Sequence, residues 1–318
     1  MDGRRLPPHH GYLVCDHELL GKGVGQSLDL TERETVKMIM TRSMSRRKRR
    51  ESNVDQDRLS DLPSEILLHI MSFMMIKDAV RTCILSKRWK DLWKFLPNFK
   101  LHVSEFSNPF KFFDFVSGIV SRRDGNHSLH TLDFHRHSSC RYQILKNLMT
   151  YAVNHRIQQL RIFVPSNLCL PPCVYSSWSL TSLHISVSMY DFKRRTRIPK
   201  SLDLPSLLCL HLVYVAISAD KNGNAEPFSN CKKLHNLYLD HCVVLYPNAL
   251  FSHNSENLNI TNPKLVNLMM DYTYRLGHKT VISAPNLSCF TLNGAPFQTL
   301  RGQERENLNV EIQSSSLT

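Results

Sequence analysis

The sequence lacks the long apolar runs that mark membrane and secreted proteins. No stretch reaches the roughly 18 apolar residues that a membrane-spanning helix needs, and the first residues contain no apolar core of a secretory signal. The nine cysteines are scattered singly along the 318 residues. In a chain without a secretion signal, such spacing predicts reduced thiols in the nucleus or the cytoplasm. We therefore expect no membrane partner.

Signatures of catalysis are missing as well. The chain contains no G-x-x-x-x-G-K-[ST] phosphate loop, no G-x-S-x-G nucleophile motif and no H-E-x-x-H zinc motif. The nearest approach to a metal constellation matches no standard zinc module; it consists of His135, His137, Cys140, Cys169 and Cys173. The sequence thus predicts a non-catalytic protein with no cofactor, no metal ion and no catalytic residue.

The N-terminal segment, residues 1–56, has no sustained apolar period. It carries charge, glycine and proline, which predicts a disordered segment. Near its end a run of five basic residues fits a nuclear-import signal, a nucleic-acid contact or a solvated tail: Arg46, Arg47, Lys48, Arg49 and Arg50. The net charge of +13 is spread over the chain. A spread excess favours an acidic partner or weak non-specific binding over a dedicated nucleic-acid site.

Residues 57–97 have the apolar spacing of three short helices. Pro63 suits the first helical position, where its missing N–H costs nothing, and apolar residues then recur at helical spacing. A second helix fits 77–85, and Ser86 suits the N-cap of a third helix over 87–93. Three such helices make a very small core, so we expect this domain to pack on a partner or a neighbouring domain.

From residue 98 to residue 318 the pattern L-x-x-L-x-L, with some replacement, recurs seven times. Its middle apolar residues are Leu132, Leu160, Leu183, Leu210, Leu237, Leu268 and Phe290. Their intervals of 28, 23, 27, 27, 31 and 22 residues bracket the period of leucine-rich repeats, roughly 20–29 residues. One such strand cannot bury its apolar face alone, so the pattern predicts stacked repeats. Segments 110–121 and 142–154 have helical periodicity and would cover the far side. A plain β-rich core is the alternative.

Strand alternation also predicts which side chains of the repeats face a ligand. The residue between the last two apolar positions points away from the core. Stacking makes a ladder of these residues: Asp133, Arg161, His184, His211, Tyr238, Met269 and Thr291. Phe163, Asn236, Asp240 and Asp271 flank it. We include Asp240 in the binding surface, because it lies beside Tyr238 and aromatic anchors dominate interface energetics. An ordinary solvated surface is the alternative.

The stretch from Leu59 to Trp93, LSDLPSEILLHIMSF…KDAVRTCILSKRWKDLW, resembles the F-box of plant F-box/leucine-rich-repeat proteins. The agreement includes Leu62-Pro63, Ile66-Leu67, Ile70, Lys77-Asp78-Ala79-Val80 and Leu85-Ser86-Lys87-Arg88-Trp89. The repeats follow in the same order. The resemblance implies a mixed α+β or α/β solenoid: a three-helix F-box over 57–97, then a leucine-rich-repeat horseshoe with a parallel concave sheet over 98–318.

Two departures from the family pattern are visible. Met74-Met75 stands where the family usually has Leu-Pro before the second helix, so we expect a looser turn there. Many relatives also carry a further C-terminal α/β module, and this chain ends soon after its seventh repeat. A truncated, non-functional relative is therefore one alternative to a working protein.

The resemblance implies the substrate-recognition subunit of an SCF-type ubiquitin ligase, which marks proteins for degradation. The F-box would bind a Skp-family adaptor, and through it cullin and RING subunits, while the repeats hold an unknown target protein. Carried over onto this sequence, the adaptor-binding residues are Leu62, Pro63, Ile66, Leu67, Ile70, Val80, Leu85 and Trp89. Some of these must instead form the internal helical core. A basic nuclear protein that contacts nucleic acid through Arg46–Arg50 and loop 193–200 is the other alternative.

Overall fold

One strand pattern, repeated along the chain, builds the main sheet. The computed structural model describes residues 59, 61–123, 125, 127–136, 142–166, 168–188, 195–245, 256–271, 278–293 and 310–313. The predicted basic run, Arg46–Arg50, lies outside these residues. The strands are β1 (Asn98–His102), β2 (Thr131–His135), β3 (Gln159–Pro165), β4 (Ser182–Ser188), β5 (Arg197–Ile198), β6 (Cys209–Val213), β7 (Ala216–Ser218), β8 (Asn224–Ala225), β9 (Asn236–Asp240), β10 (Val243–Leu245), β11 (Glu256–Thr261), β12 (Asn267–Asp271), β13 (His278–Ser283), β14 (Cys289–Asn293) and β15 (Val310–Gln313).

The main sheet is parallel and follows the chain order, with strands arranged β1-β2-β3-β4-β6-β9-β12-β14. Seven of these strands are the seven predicted repeats. The eighth, β1, escaped prediction, although Phe99 and Leu101 are buried and alternate with half-buried neighbours. Neighbouring strands pair without a shift, so that Leu183 lies beside Leu210 and Leu210 beside Leu237. Because side chains alternate along a strand, this register stacks one apolar row inside and polar rows outside.

The helices are α1 (Ser64–Ser72), α2 (Ile76–Arg81), α3 (Pro109–Arg122) and α4 (Tyr142–Asn154). Helices α3 and α4 confirm the prediction for 110–121 and 142–154. Asn108 caps α3, because its side-chain oxygen accepts a hydrogen bond from the Lys111 N–H at 2.8 Å. The buried Phe112 of α3 meets Phe134 of β2, with ring centroids 6.0 Å apart, so α3 packs on the inner face of the sheet.

Later connections contain strands where the early ones contain helices. They form two smaller parallel sheets, one ordered β10-β7-β5 and the other β15-β13-β11-β8. The sequence patterns did not predict these strands. Strands such as β7 and β10 span three residues each, which is too short for alternation to stand out in a sequence. Their apolar residues, including Ile217 and Val244, are buried and extend the core.

The N-terminal helices differ from prediction at the third. Helix α2 ends at Arg81 and continues as a 3₁₀ turn over Thr82–Ile84. Where a third α-helix was predicted over 87–93, turns lead into a 3₁₀ helix over Leu92–Phe95. Pro97 explains where this 3₁₀ helix ends, because it disfavours helical backbone at the residue before it, and Leu96 is extended at φ −64° and ψ 126°.

A buried arginine joins the N-terminal helices to the sheet and to α4. Arg123, which caps α3, donates hydrogen bonds to the carbonyl oxygens of Lys94 (3.0 Å), Leu96 (2.9 Å) and Ser128 (2.9 Å). It also donates to the Tyr151 hydroxyl at 2.8 Å. The described residues from Leu59 onward belong to one compact unit. Within the part of the chain that the structure describes, the helices are too short or too polar to cross a membrane.

Candidate functional site

Helix α1 has two apolar faces, and the residues that the structure describes bury only one of them. Leu67 and Met71 point inward and are fully buried. Ile66 and Phe73 lie on the other side of the helix, with 45% and 69% of their surface exposed. A helix that packs on one side only normally carries polar residues on the other. The outer face of α1 is therefore a candidate docking surface.

A second exposed apolar segment lies next to α1. Ile84 and Leu85, after α2, are 83% and 60% exposed. The Arg88 guanidinium donates to the Ser64 hydroxyl at 3.5 Å, which brings this segment to the start of α1. Of the ten large apolar side chains that are exposed in the described residues, five lie between Leu59 and Leu85. Such a concentration is typical of a protein interaction site.

The structure divides the eight predicted adaptor-binding residues into three groups. Pro63, Ile66 and Leu85 are exposed, and Leu62, Ile70 and Val80 are half-buried. Leu67 and Trp89 are 0% and 4% exposed. These two belong to the internal core and have no surface to offer a partner, so their inclusion is corrected. Helical spacing alone does not separate the two faces of α1, because both are apolar.

Phe73 and Ile84 were not among the predicted residues, yet they are more exposed than most of those that were. Phe73 follows the last residue of α1, and its ring meets the His69 ring edge-on at 4.9 Å. Ile66, Ile70 and Phe73 share one face by helical spacing, which could have added Phe73 to the set, but Leu67 and Met71 share the same spacing on the buried face.

The predicted ladder of outward residues forms on the main sheet. Register partners join its members in the predicted order: Asp133, Arg161, His184, His211, Tyr238, Met269 and Thr291. The described members are half-buried or exposed. The ladder also gains Lys100 of β1 as the register partner of Asp133. Its formation confirms the geometry, and binding of a target there stays a prediction.

Aromatic and imidazole rings follow one another along two outward rows. In the ladder, the rings of His184 and His211 are 4.2 Å apart, and those of His211 and Tyr238 are 5.4 Å apart. In the next row, His135 lies 4.4 Å from Phe163 and 5.0 Å from His102. Flat rings spaced by the distance between strands make a continuous surface on which a planar or apolar side chain can lie.

Both ends of this surface carry a histidine beside an aspartate. Near β2, the His102 Nε2 lies 3.8 Å from the Asp133 carboxylate, and this contact lowers the pKa of Asp133 below its usual range. At the other end, Asp240 and Asp271 are register partners on β9 and β12. The His241 Nδ1 is hydrogen-bonded to the Asp240 carboxylate.

Burial keeps the central imidazoles neutral. Burial, with the neighbouring His211 and Arg161, lowers the pKa of His184 to about 4. Burial also lowers the pKa of His211, with Asp240 acting in the opposite direction. Both rings are therefore uncharged near neutral pH, where an isolated histidine would be partly protonated.

Among the described residues, Asp240, His241 and Asp271 bring metal-ligand atoms within 4.8 Å of one another. The sequence predicted no metal site, and no pattern in it indicated that His241 would lie beside the two aspartates. His241 follows β9 with a positive φ of 51°, as Tyr214 follows β6 with 55°. This backbone brings the two rings to within 4.7 Å at the same sheet edge.

Taken together, an apolar face on short helices and a mixed ring-and-charge face on a parallel sheet are two candidate binding surfaces. The order of helices followed by a repeated parallel sheet defines a helical domain with a repeat domain, and comparison with known proteins identifies the family. The family model "F-box domain" matches residues 59–101. An F-box/LRR-repeat protein of Arabidopsis thaliana is 31% identical over 265 residues, covering 79% of each chain.

Other relatives are longer than this chain. An F-box/FBD/LRR-repeat protein of Arabidopsis thaliana is 28% identical over 255 residues, which is 79% of this chain and 56% of the relative. An FBD-associated F-box protein of the same plant is 34% identical over 170 residues, 52% of this chain and 41% of the relative. The chain thus spans about half the length of most relatives it matches. It belongs to the F-box/LRR-repeat family.

Proposed function

We propose that this chain is the substrate-receptor subunit of an SCF-type ubiquitin ligase. The outer face of α1, with Ile84 and Leu85, docks a Skp-family adaptor that connects to cullin and RING subunits. The outward rows of the main sheet, which we take as the concave side of a leucine-rich-repeat horseshoe, hold the target protein. Family membership supports binding to the Skp-family adaptor. The chain supplies proximity and orientation rather than a reactive group.

The observation that carries the proposal is the second apolar face of α1. Ile66 in α1 and Phe73 directly after it are solvent-exposed, although Leu67 and Met71 of the same helix are buried. Each large aliphatic side chain left in water forgoes about 1.5–3 kcal/mol of burial energy. An adaptor that covers several of them gains that energy, which offsets the entropy lost on association.

The experiment is co-purification of the full chain with a Skp-family adaptor. Ile66→Asp and Leu85→Asp should each weaken binding at least tenfold, roughly the loss at an interface hot spot. The double variant Leu62→Ala with Pro63→Ala should weaken it less, because Leu62 is half-buried. Leu208→Asp is the matched control, since Leu208 is 41% exposed and lies outside the helices.

Two results would contradict the proposal. If the wild type does not bind the adaptor, the ligase assignment fails. If Ile66→Asp and Leu208→Asp bind it equally well, the docking face is wrong. Binding of duplex DNA, strongly reduced by salt and without adaptor binding, would instead favour the nucleic-acid alternative. We propose the nucleus or the cytoplasm as the location, with Arg46–Arg50 as the import signal.

A further inference from the structure

A row of three rings crosses the middle of the main sheet. We call it the aromatic platform: His184 on β4, His211 on β6 and Tyr238 on β9, each the register partner of the next. All three are half-buried. Since strands lie about 4.8 Å apart, the platform is roughly 10 Å wide. It is wide enough to carry one aromatic side chain of an extended peptide.

The platform does not repel a positive charge. Burial lowers the pKa of His184 to about 4 and also lowers that of His211, so both rings are neutral near neutral pH. A neutral aromatic face attracts cations through its ring electrons, most strongly where water is partly excluded. Tyr238 completes the platform at the side nearest Asp240.

Two carboxylates adjoin the platform, and we call them the acidic edge: Asp240 and Asp271. They lie opposite each other on β9 and β12, an arrangement in which like charges destabilise each other. The His241 Nδ1 is hydrogen-bonded to the Asp240 carboxylate, and a ligand cation between Asp240 and Asp271 would further relieve the repulsion. Arg195 lies at the same edge, but its guanidinium is half-buried and Nη1 donates to the carbonyl oxygen of His241.

The opposite end of the sheet has the other sign. Lys100 and Arg161 lie in the ladder on either side of Asp133, and the Asp133 carboxylate already has His102 as a partner at 3.8 Å. The outward face is therefore polarised, with positive charge over β1 to β3 and negative charge over β9 and β12. Polarity of this kind selects the orientation of a charged ligand more than it adds affinity.

We infer that the surface over β4, β6, β9 and β12 binds an extended peptide in which a lysine or arginine lies close to an aromatic residue. The cation contacts the acidic edge and the aromatic side chain lies on the platform. Three strand spacings, about 14 Å, match about four residues of extended chain at 3.3 Å each. The inference rests on the proposed function only in that the peptide would be a segment of the target protein.

The test is selection of a random peptide display library on the purified full chain, followed by titration of the enriched peptides labelled with a fluorophore. We expect the enriched peptides to pair a lysine or arginine with an aromatic residue within about four positions. Asp240→Asn with Asp271→Asn should weaken their binding at least tenfold, as should Tyr238→Ala.

Matched controls separate this site from general charge and fold effects. Asp203→Asn with Glu226→Gln removes two exposed carboxylates outside the main sheet, and Tyr142→Ala removes a tyrosine on α4. These variants should bind the peptides as the wild type does. Every variant should also keep the wild-type thermal midpoint, which shows that a lost affinity is not lost folding.

Several outcomes would overturn the inference: no enrichment, enrichment of acidic peptides, or equal binding by the Asp240/Asp271 variant and its control. Peptide binding abolished by EDTA would also overturn it, since the acidic edge would then hold a divalent cation with His241. Adaptor binding, measured separately on the same samples, reports on the proposed function. Peptides bound without adaptor binding would leave this inference standing and reject the ligase.

Discussion

The short helices after Leu59 and the main sheet present different surfaces to a partner. The outer face of α1 and the segment after α2 expose aliphatic and phenyl side chains, including Ile66, Phe73 and Ile84. On the sheet, the outward rows carry mainly imidazoles, carboxylates and a phenol, with Met269 and Val213 among them, and the leucines of the repeats are turned inward. An apolar surface binds strongly with little discrimination, whereas a polar, ring-bearing surface discriminates through paired groups.

The two regions also differ in how they are held together. The sheet repeats one packing solution, so each strand depends mainly on its two neighbours. The helical region has a small core around Leu67, Met71 and Trp93 and relies on contacts with the rest of the chain, Arg123 above all. A single substitution should therefore cost more in the helical region and at its junction than on the face of the sheet.

The largest effect is expected at the junction. Arg123→Leu leaves three carbonyl oxygens and the Tyr151 hydroxyl without their donor. At roughly 1 kcal/mol for each buried acceptor, the free energy of unfolding should fall by about 4 kcal/mol. Denaturant unfolding measures the change. Arg122→Leu removes the same charge from an exposed neighbour and should cost less than about 0.5 kcal/mol. Equal losses for the two variants would show that Arg123 does not hold the junction.

Adjacent residues of α1 offer a second test of the contrast between core and surface. Leu67→Ala empties a fully buried position and should lower the free energy of unfolding by about 3 kcal/mol. Ile66→Ala, one residue away and 45% exposed, should change it by less than about 1 kcal/mol but weaken adaptor binding. Thermal unfolding and adaptor titration separate the two. A large stability loss for Ile66→Ala would mean that Ile66 packs within the protein and that the outer face of α1 is not a docking surface.

The main sheet could be predicted because its signal repeats. Each occurrence of L-x-x-L-x-L fixes an inward row, and parallel pairing without a shift then fixes the outward neighbours, from Asp133 to Thr291. Strand β1 escaped although Leu96, Phe99 and Leu101 follow the same pattern, because Leu96 was assigned to the helical domain over 57–97. The arrangement at the ends of β6 and β9 was not predicted either. Tyr214 and His241 adopt left-handed backbone there, and no glycine in the sequence indicates that conformation.

The helical region was harder to predict for a physical reason. Apolar residues occur on both sides of α1, so periodicity marks a helix without telling the core side from the partner side. Leu67 and Ile66 are neighbours in sequence and differ completely in burial. After Ser86, the spacing of Trp89, Leu92, Trp93 and Leu96 is that of an α-helix, yet the backbone bonds join residues three apart, as from Trp89 N–H to Ser86 O at 3.1 Å.

The pH dependence of stability should reveal the neutral platform on the sheet. The pKa of His184 is lowered from 6.5 to about 4 in the folded chain, chiefly by burial. Between these values the unfolded chain binds more protons, so His184 contributes stability above about pH 6.5 that is lost as pH falls toward 4. Allowing for partial solvent exposure, we expect a loss of about 1 kcal/mol. His184→Gln, which cannot be protonated, should remove it, whereas the exposed His130→Gln should not. If stability depends on pH in the same way for the wild type, His184→Gln and His130→Gln, His184 is not a half-buried neutral group.

The smallest effect concerns the turn between α1 and α2. Met75 stands where the family usually has proline, and its backbone, at φ −64° and ψ 143°, is already that of a proline. Met75→Pro should raise the free energy of unfolding by about 0.5 kcal/mol, because proline restricts the unfolded chain. Met74→Pro is the control: the Met74 N–H donates to the Met71 carbonyl oxygen at 3.0 Å, so losing that donor should destabilise the protein. Thermal midpoints of the two variants test this prediction. A lower midpoint for both would mean that the turn formed by Met74 and Met75 does not accept proline at either position.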